Sequence, residues 1–251
     1  MSTPQIYATV VETCRRRLPP AARGQRHAHL DIGAGQGELI RLLGDALAVR
    51  SSACDFHVDR FDSVDVPIAR VDLDREPLPY PDGEFDLVTC SELVEHLENY
   101  RALLREAYRV TKPGGLVVLT TPNVLNAQSR MRYHTSGFPV LFGPLPVGHD
   151  ERHSTARHIT PIPYFYLAHA LLETGFGRVE LDIDKVQRTS VVWLALAFPV
   201  IVGGWLQFAT RERRRLRTIT AANEPHVAMH RSWRLLVGRT AVVSALRTGP
   251  S

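Results

Sequence analysis

The sequence predicts an α/β fold in which a mostly parallel sheet is covered by helices on both faces. Three observations carry that expectation. Strand-like and helix-like segments alternate along the 251 residues, and a glycine turn joins the first strand to the helix after it. A composition of 44% hydrophobic and 22% charged residues is that of an ordinary globular chain with enough apolar material for a core. This length fits one large domain, residues 1–251, better than two.

The elements follow in order. Residues 1–27 are expected to hold a short amphipathic helix with Ile6, Val10, Val11, Cys14 and Leu18 on its apolar face, and they lack the pattern of a secretory signal. In "AHLDIGAGQGELIRLLGDALA" an apolar strand ends at Asp31, glycines follow, and Leu39, Ile40, Leu42, Leu43, Ala46 and Leu47 recur at helical spacing. "SSACDFHVDRF" and "PIARVDLD" read as weaker strands, and the turn "PYPDGEFD" leads into the apolar run "FDLVTC". Helical periodicity resumes from Ser91 to Val110, with Asn99 placed to cap a second segment. "TKPGG" ends it, and "LVVLTT" is a buried strand.

Residues 122–160 are rich in Gly, Pro and His and show no period, which suits a long functional loop. "PIPYFYLAHALLETGF" is then a helix, "RVELDID" a strand and "RTAVVSAL" the last strand. Cys14, Cys54 and Cys90 form neither a CxxC pair nor a disulfide framework, so a reducing, cytoplasmic compartment is expected. Net charge is +4; arginines cluster at residues 15–17, read as a solvated patch, and at residues 211–217.

The chemistry is expected at the carboxyl ends of the strands, where open parallel sheets bind ligands. Gly33, Gly35 and Gly37 form a GxGxG turn whose backbone can approach a ligand closely. A dinucleotide fingerprint wants its third glycine one position later. Asp31 precedes the turn by two residues, where it would take loop amides or an ammonium group. Asp55, eighteen residues after Gly37, suits either a ribose-binding acid or a turn aspartate.

These residues carry a resemblance. "LDIGAGQGE", "LPYPDGEFDLVTCSELVEHLEN" and "LLREAYRVTKPGGLVVLTTPN" together resemble the class I S-adenosylmethionine (SAM)-dependent methyltransferases, over about residues 28–183 and again weakly in "LLVGRTAVVSAL". The resemblance implies a Rossmann-like sheet of seven strands with the last antiparallel, and SAM as cofactor. Asp31 and the backbone of Gly33, Ala34, Gly35 and Gly37 would hold the methionine end, and Asp55 the ribose. Asp72 with Leu73 would meet the adenine, Asp74 being a rival to Asp72. Ser91, Glu92 and Leu93 would line the methyl-donor pocket.

Methyl transfer from a sulfonium needs a base only if the acceptor must lose a proton. His96 is the candidate, and a packing or capping histidine is the alternative. His149, His153 and His158, with Tyr133 and Phe138 as apolar walls, mark the 122–160 loop as the acceptor side. The histidines lack metal-ligand spacing, so no metal is expected. Nucleic acid is not expected either, because the "NPPY"-type motif of base methylation is missing, and no Walker loop, HExxH or nucleophile elbow appears.

"SVVWLALAFPVIVGGWLQFATRERRRLR", residues 190–217, is long enough to span a bilayer: Val191 to Ala209 covers roughly 28 Å as a helix. Flanking strands of one sheet must stay on the same side of a membrane. The expectation is therefore a hydrophobic helical insertion before the last strand, read as a re-entrant or interfacial hairpin bent near Pro199 or Gly203 and Gly204, or else as a segment buried against the domain or a second copy. The hairpin would dip into an anionic surface with Arg211, Arg213, Arg214, Arg215 and Arg217 as second anchor. From this follows the functional expectation: methylation, O-directed in preference, of a small-molecule, glycan or lipid-linked acceptor at the inner membrane face. The alternative is a SAM-binding or inactive methyltransferase-like membrane partner; a nucleotide-dependent oxidoreductase is disfavoured by the glycine spacing.

Overall fold

The computed structural model describes residues 3–20, 24–63, 65–145 and 158–248. The apolar runs become β1 (His27–Ile32), β2 (Val49–Asp55), β3 (Ile68–Arg70), β4 (Phe85–Ser91), β5 (Thr111–Pro122), β6 (Phe176–Ile183) and β7 (Thr240–Arg247). They form one sheet in the order β3-β2-β1-β4-β5-β7-β6. Strands β1 to β5 pair in parallel, and β7 runs antiparallel to both β5 and β6. The expected Rossmann-like sheet is present, and its strand order reverses between β1 and β4, where such sheets open a crevice for ligand.

Side-chain alternation sorts the core into two layers. Leu87, Leu116, Val118 and Val242 face α1 (Pro4–Arg17) and α2 (Glu38–Ala46). Their neighbours Val88, Val117, Leu119 and Val243 face α3 (Tyr100–Val110) and α5 (Tyr164–Thr174). Fully burying each such side chain stabilises the fold by about 1.5–3 kcal/mol. The arginines of α1 are not simply solvated: Arg16 pairs with Asp182, and the Arg17 guanidinium donates to the Ser244 and Arg178 carbonyls. They staple α1 to β6 and β7.

Two segments differ from the sequence expectation. The helical periodicity expected from Ser91 yields only a 3₁₀ turn at Val94–His96, and the expected second segment is α3, whose Asn99 cap accepts from the Ala102 N–H at 3.1 Å. The 122–160 loop contains a helix, α4 (Ala127–Ser136), capped by Asn126 and closed by Gly137 in the left-handed region. Its exposed face carries Arg132, Tyr133 and His134, so no apolar stripe announced it.

The apolar insertion is a continuous helix, α6 (Arg188–Arg211), running on into a π-helical turn at Glu212–Leu216. Pro199 lies inside it without producing the expected hairpin. The chain returns through 218–232, α7 (Glu224–Ala228) and α8 (Trp233–Val237). Polar side chains seat α6 on the sheet: Ser190 Oγ donates to Asn126 Oδ1 at 3.0 Å, and Gln187 Nε2 to Gln128 Oε1 at 2.5 Å. Asn123, at the end of β5, holds the start of β7 by donating to the Leu235 and Gly238 carbonyls at 2.8 and 2.9 Å.

Outward, α6 is bare. Leu196 is 70% exposed and Val200 77%, and the helix buries little besides Ser190, Leu194, Ala197 and Ala209. A core helix would show the reverse.

Asn123→Ala leaves the buried Leu235 carbonyl and the Leu125 N–H without the partners Asn123 gives them, and the Gly238 carbonyl with the Asn126 amide alone. It should cost about 2–4 kcal/mol in a urea melt of the folded chain.

Candidate active site

The site is built on adjacent strand ends. In β1, Leu30 and Ile32 point into the α3/α5 core, so His29 and Asp31 point to the other face. Register sets Asp31 opposite Thr89 of β4, and the Thr89 hydroxyl donates to Asp31 Oδ1 at 2.7 Å. That hydroxyl proton is then committed. His29 Nε2, 2.8 Å from the same oxygen, must carry the proton it donates, and Nδ1 receives from Ser51 Oγ at 2.9 Å. Burial lowers the His29 pKa to about 3, which keeps the imidazole neutral.

The result is a one-directional chain of donors, Ser51 to His29 to Thr89, ending on a buried carboxylate. Burial raises the Asp31 pKa to about 7 against the opposing effect of the Thr89 bond. A cation arriving beside Asp31 would draw it back to the charged form.

Above it lies the glycine turn. Gly33 has φ +74°, a conformation that strains any residue with a Cβ, and a Cβ there would also press on the Leu93 side chain at 2.8 Å. Gly35, at φ +54°, has no atom within 4 Å of a Cβ position, leaving its backbone open to a ligand. Asp55 ties this loop to β2: its carboxylate accepts from the Gly35 N–H at 2.9 Å and the His57 N–H at 2.8 Å. Two accepted bonds leave lone pairs for hydroxyls.

Asp72 accepts from the Asp74 N–H at 3.2 Å within its own turn, and Asp74 accepts from the Asn99 N–H at 3.1 Å. Leu73 packs against the core. Ser91 Oγ lies 3.1 Å from Thr120 Oγ1, and Glu92 holds a left-handed φ of +51° with its N–H on Thr120 Oγ1 at 2.9 Å. A non-glycine residue in that region costs of order 1–3 kcal/mol and is held by its surroundings.

Past Glu92 the structure gathers what the sequence kept apart. Glu95 is fully buried, and its carboxylate, beside the Thr121 hydroxyl, makes no hydrogen bond of good geometry. Burial, then the neighbouring Glu92, raise the Glu95 pKa well above the usual range; burial brings Glu92 to about 7. The His96 and His158 rings meet edge to face at 4.9 Å. Ligand atoms of Glu95, His96 and His158 all fall within 4.8 Å of one another, a set that could hold a metal ion, which sequence spacing did not indicate.

Tyr133 and Phe138 are 61% and 38% exposed at α4 and just beyond it. His149 and His153 lie outside the described residues. Sequence reasoning missed Thr89, His29 and Glu95; their only signal was a polar residue inside an apolar run or turn.

A doubly covered sheet with a buried acid and an open glycine loop at its switch point is the fold of the class I methyltransferases, in which ligands bind at the carboxyl ends of the strands. The chain belongs to the methyltransferase-domain family, whose model matches residues 7–181. It is 35% identical over 102 residues to a sarcosine/dimethylglycine N-methyltransferase of Halorhodospira halochloris, covering 37% of each chain. It is 32% identical over 146 residues to a ubiquinone biosynthesis O-methyltransferase of Dechloromonas aromatica, covering 53% of this chain and 58% of that one. The matches thus span well under two thirds of those relatives. A solved SAM-dependent methyltransferase from Archaeoglobus fulgidus shares the fold with a TM-score of 0.56 at 20% identity, over 96% and 94% of the two chains.

An ammonium group bound beside Asp31 must displace its proton when the pH is low. SAM affinity should therefore rise about tenfold from pH 5.5 to 7.0, with proton release on binding, and be nearly flat in Asp31→Asn. Calorimetric titration in two buffers checks this. For the unliganded protein the sign is opposite: folded Asp31 holds its proton above its unfolded pKa, so stability declines as pH rises from about 4 to about 7.

Proposed function

We propose that this chain transfers a methyl group from SAM to the oxygen of a small-molecule or lipid-linked acceptor at the cytoplasmic membrane face. The observation that carries the reading is the buried Asp31 and Thr89 pair beneath an open Gly35 backbone. These residues fit SAM: Asp31 meets its ammonium group, the glycine loop its carboxylate end, and Asp55 its ribose. SAM supplies, when bound, an electrophilic methyl on a sulfonium. Ser91, Glu92 and Leu93 then form the wall beside the reacting centre.

The chain's own task is alignment and, for a hydroxyl acceptor, removal of a proton. His96 is the base in this reading. His158, with its pKa lowered by burial and by His96, stands beside it and disfavours a second positive charge. O-directed chemistry is supported by the ubiquinone-pathway relatives, and N-directed chemistry by the sarcosine relative. A hydroxyl acceptor makes better use of a neutral imidazole.

The membrane part of the reading rests on α6, which is long and apolar enough to cross a bilayer and has 11% of its most apolar 18-residue stretch buried. It adjoins Arg211, Arg213, Arg214, Arg215 and Arg217, which suit anionic headgroups. Strands β6 and β7 pair on either side of it, so the helix lies in the interface instead of crossing.

Titration with SAM should give one-site binding that Asp31→Ala abolishes in a folded protein; wild-type protein without SAM binding would overturn the reading. His96→Ala should lower kcat by about 100-fold or more with SAM affinity unchanged. Flotation with phosphatidylglycerol vesicles should fail in a Leu196→Gln, Phe198→Gln, Val200→Gln triple variant, all three residues being exposed. Equal flotation of variant and wild type would remove the membrane assignment.

A further inference from the structure

A second cavity, of about 570 Å³, lies between α4, the first turn of α5, α6 and the 218–230 segment. That volume is within the range of small-molecule sites. No donor-site residue lines it. Topology still puts it at the carboxyl end of the sheet, because α4 follows β5, α6 follows β6, and α5 leads into the start of β6.

Its walls are mainly apolar, with Phe165, Val200, Ile201 and Trp205 among them. Arg130 and His230 join Tyr166, Thr218 and Asn223 as its polar lining residues. Arg130 gives Nε to the Leu125 carbonyl at 2.7 Å and Nη2 to the His230 carbonyl at 3.2 Å. Burial lowers its pKa, yet a guanidinium stays charged at neutral pH, and no carboxylate among the described residues offsets it. Beside it, His230 Nε2 is buried without a hydrogen-bond partner. Burial and the Arg130 charge push that imidazole to about 4, so it is neutral and able to donate from Nε2.

A half-buried cation without a counter-charge, next to an unpartnered ring nitrogen, is costly unless an anion joins them. A compact anion would leave the apolar walls uncovered. Val200 lines the cavity and is also 77% exposed, so the lining is continuous with the bare outer side of α6. A hydrocarbon chain can follow that continuous apolar surface.

We propose that this cavity binds a single-chain amphiphilic anion, with its hydrocarbon chain against Phe165, Val200 and Trp205 and its carboxylate or phosphate between Arg130 and His230 Nε2. Occupancy does not depend on methyl transfer. The site is a binding function separate from the donor pocket.

The full chain would be titrated with myristate, dodecyl phosphate and uncharged dodecanol, below micellar concentrations, and read by calorimetry and tryptophan fluorescence. Saturable one-site binding of an anion is expected, with a fluorescence change lost in Trp205→Phe; the tighter of the two anions identifies the head. Gly204→Leu fills the cavity, since nothing lies within 4 Å of a Cβ there, and should weaken every probe. Arg130→Met should weaken the anions by about tenfold or more and leave dodecanol unchanged. Parallel titration with SAM should be the same in all variants and certifies their fold.

If Arg130→Met does not fold, wild-type affinity for the anions over dodecanol decides whether the head is charged. The proposal is overturned by absence of saturable anion binding, by anions binding no tighter than dodecanol, or by Gly204→Leu binding them as well as wild type.

Discussion

Everything at the donor end of this molecule depends on one hydrogen bond, from the Thr89 hydroxyl to Asp31. A carboxylate inside a sheet is tolerated only when donors reach it. Parallel pairing of β1 with β4 brings Thr89 opposite Asp31, and His29 and Ser51 extend the supply of protons behind it. Because the donors all point one way, the acid is oriented toward the glycine loop and held near the edge of ionisation. A single shift of register between β1 and β4 would turn Thr89 away and leave the charge unpaired.

The same economy of polar contacts governs the other end of the sheet. Asn123, Asn126, Ser190, Gln128 and Gln187 join β5, α4, α6 and β7 through amide and hydroxyl groups, not through a broad apolar interface. This is why α6 can remain fixed while most of its apolar surface is free. A helix held by its first turns, and flanked on one side by the 218–230 segment, leaves its outer face free. The family match covers residues 7–181, and α6 with the neighbouring cavity lies mostly beyond it.

Between those two regions lies the pair of acids after β4. Glu92 is strained into a left-handed backbone and Glu95 is buried without a hydrogen bond of good geometry, close to His96 and His158. Both carboxyls are raised toward neutrality by burial. Buried acids of this kind bring no stability by themselves, and perturbed carboxyls cluster at functional sites.

The sequence alone determined the sheet and its covering. Local alternation fixed which residues face which layer, and GxGxG after an acid fixed the turn, because those depend on neighbours along the chain. Asn99 as a cap was legible for the same reason. Helix α4 was not, since its stability comes from two asparagine and glycine ends and from contact with α6 instead of from an apolar stripe. The expected hairpin at Pro199 or the glycines did not form either. An interior proline costs a helix about 3 kcal/mol, yet this one runs on for 24 residues from an anchored start. Only tertiary structure could set Thr89 against Asp31, bring Glu95 to His158 across more than sixty residues, and enclose Arg130 with His230. Those pairings are decided by strand register and helix packing, which no local pattern encodes.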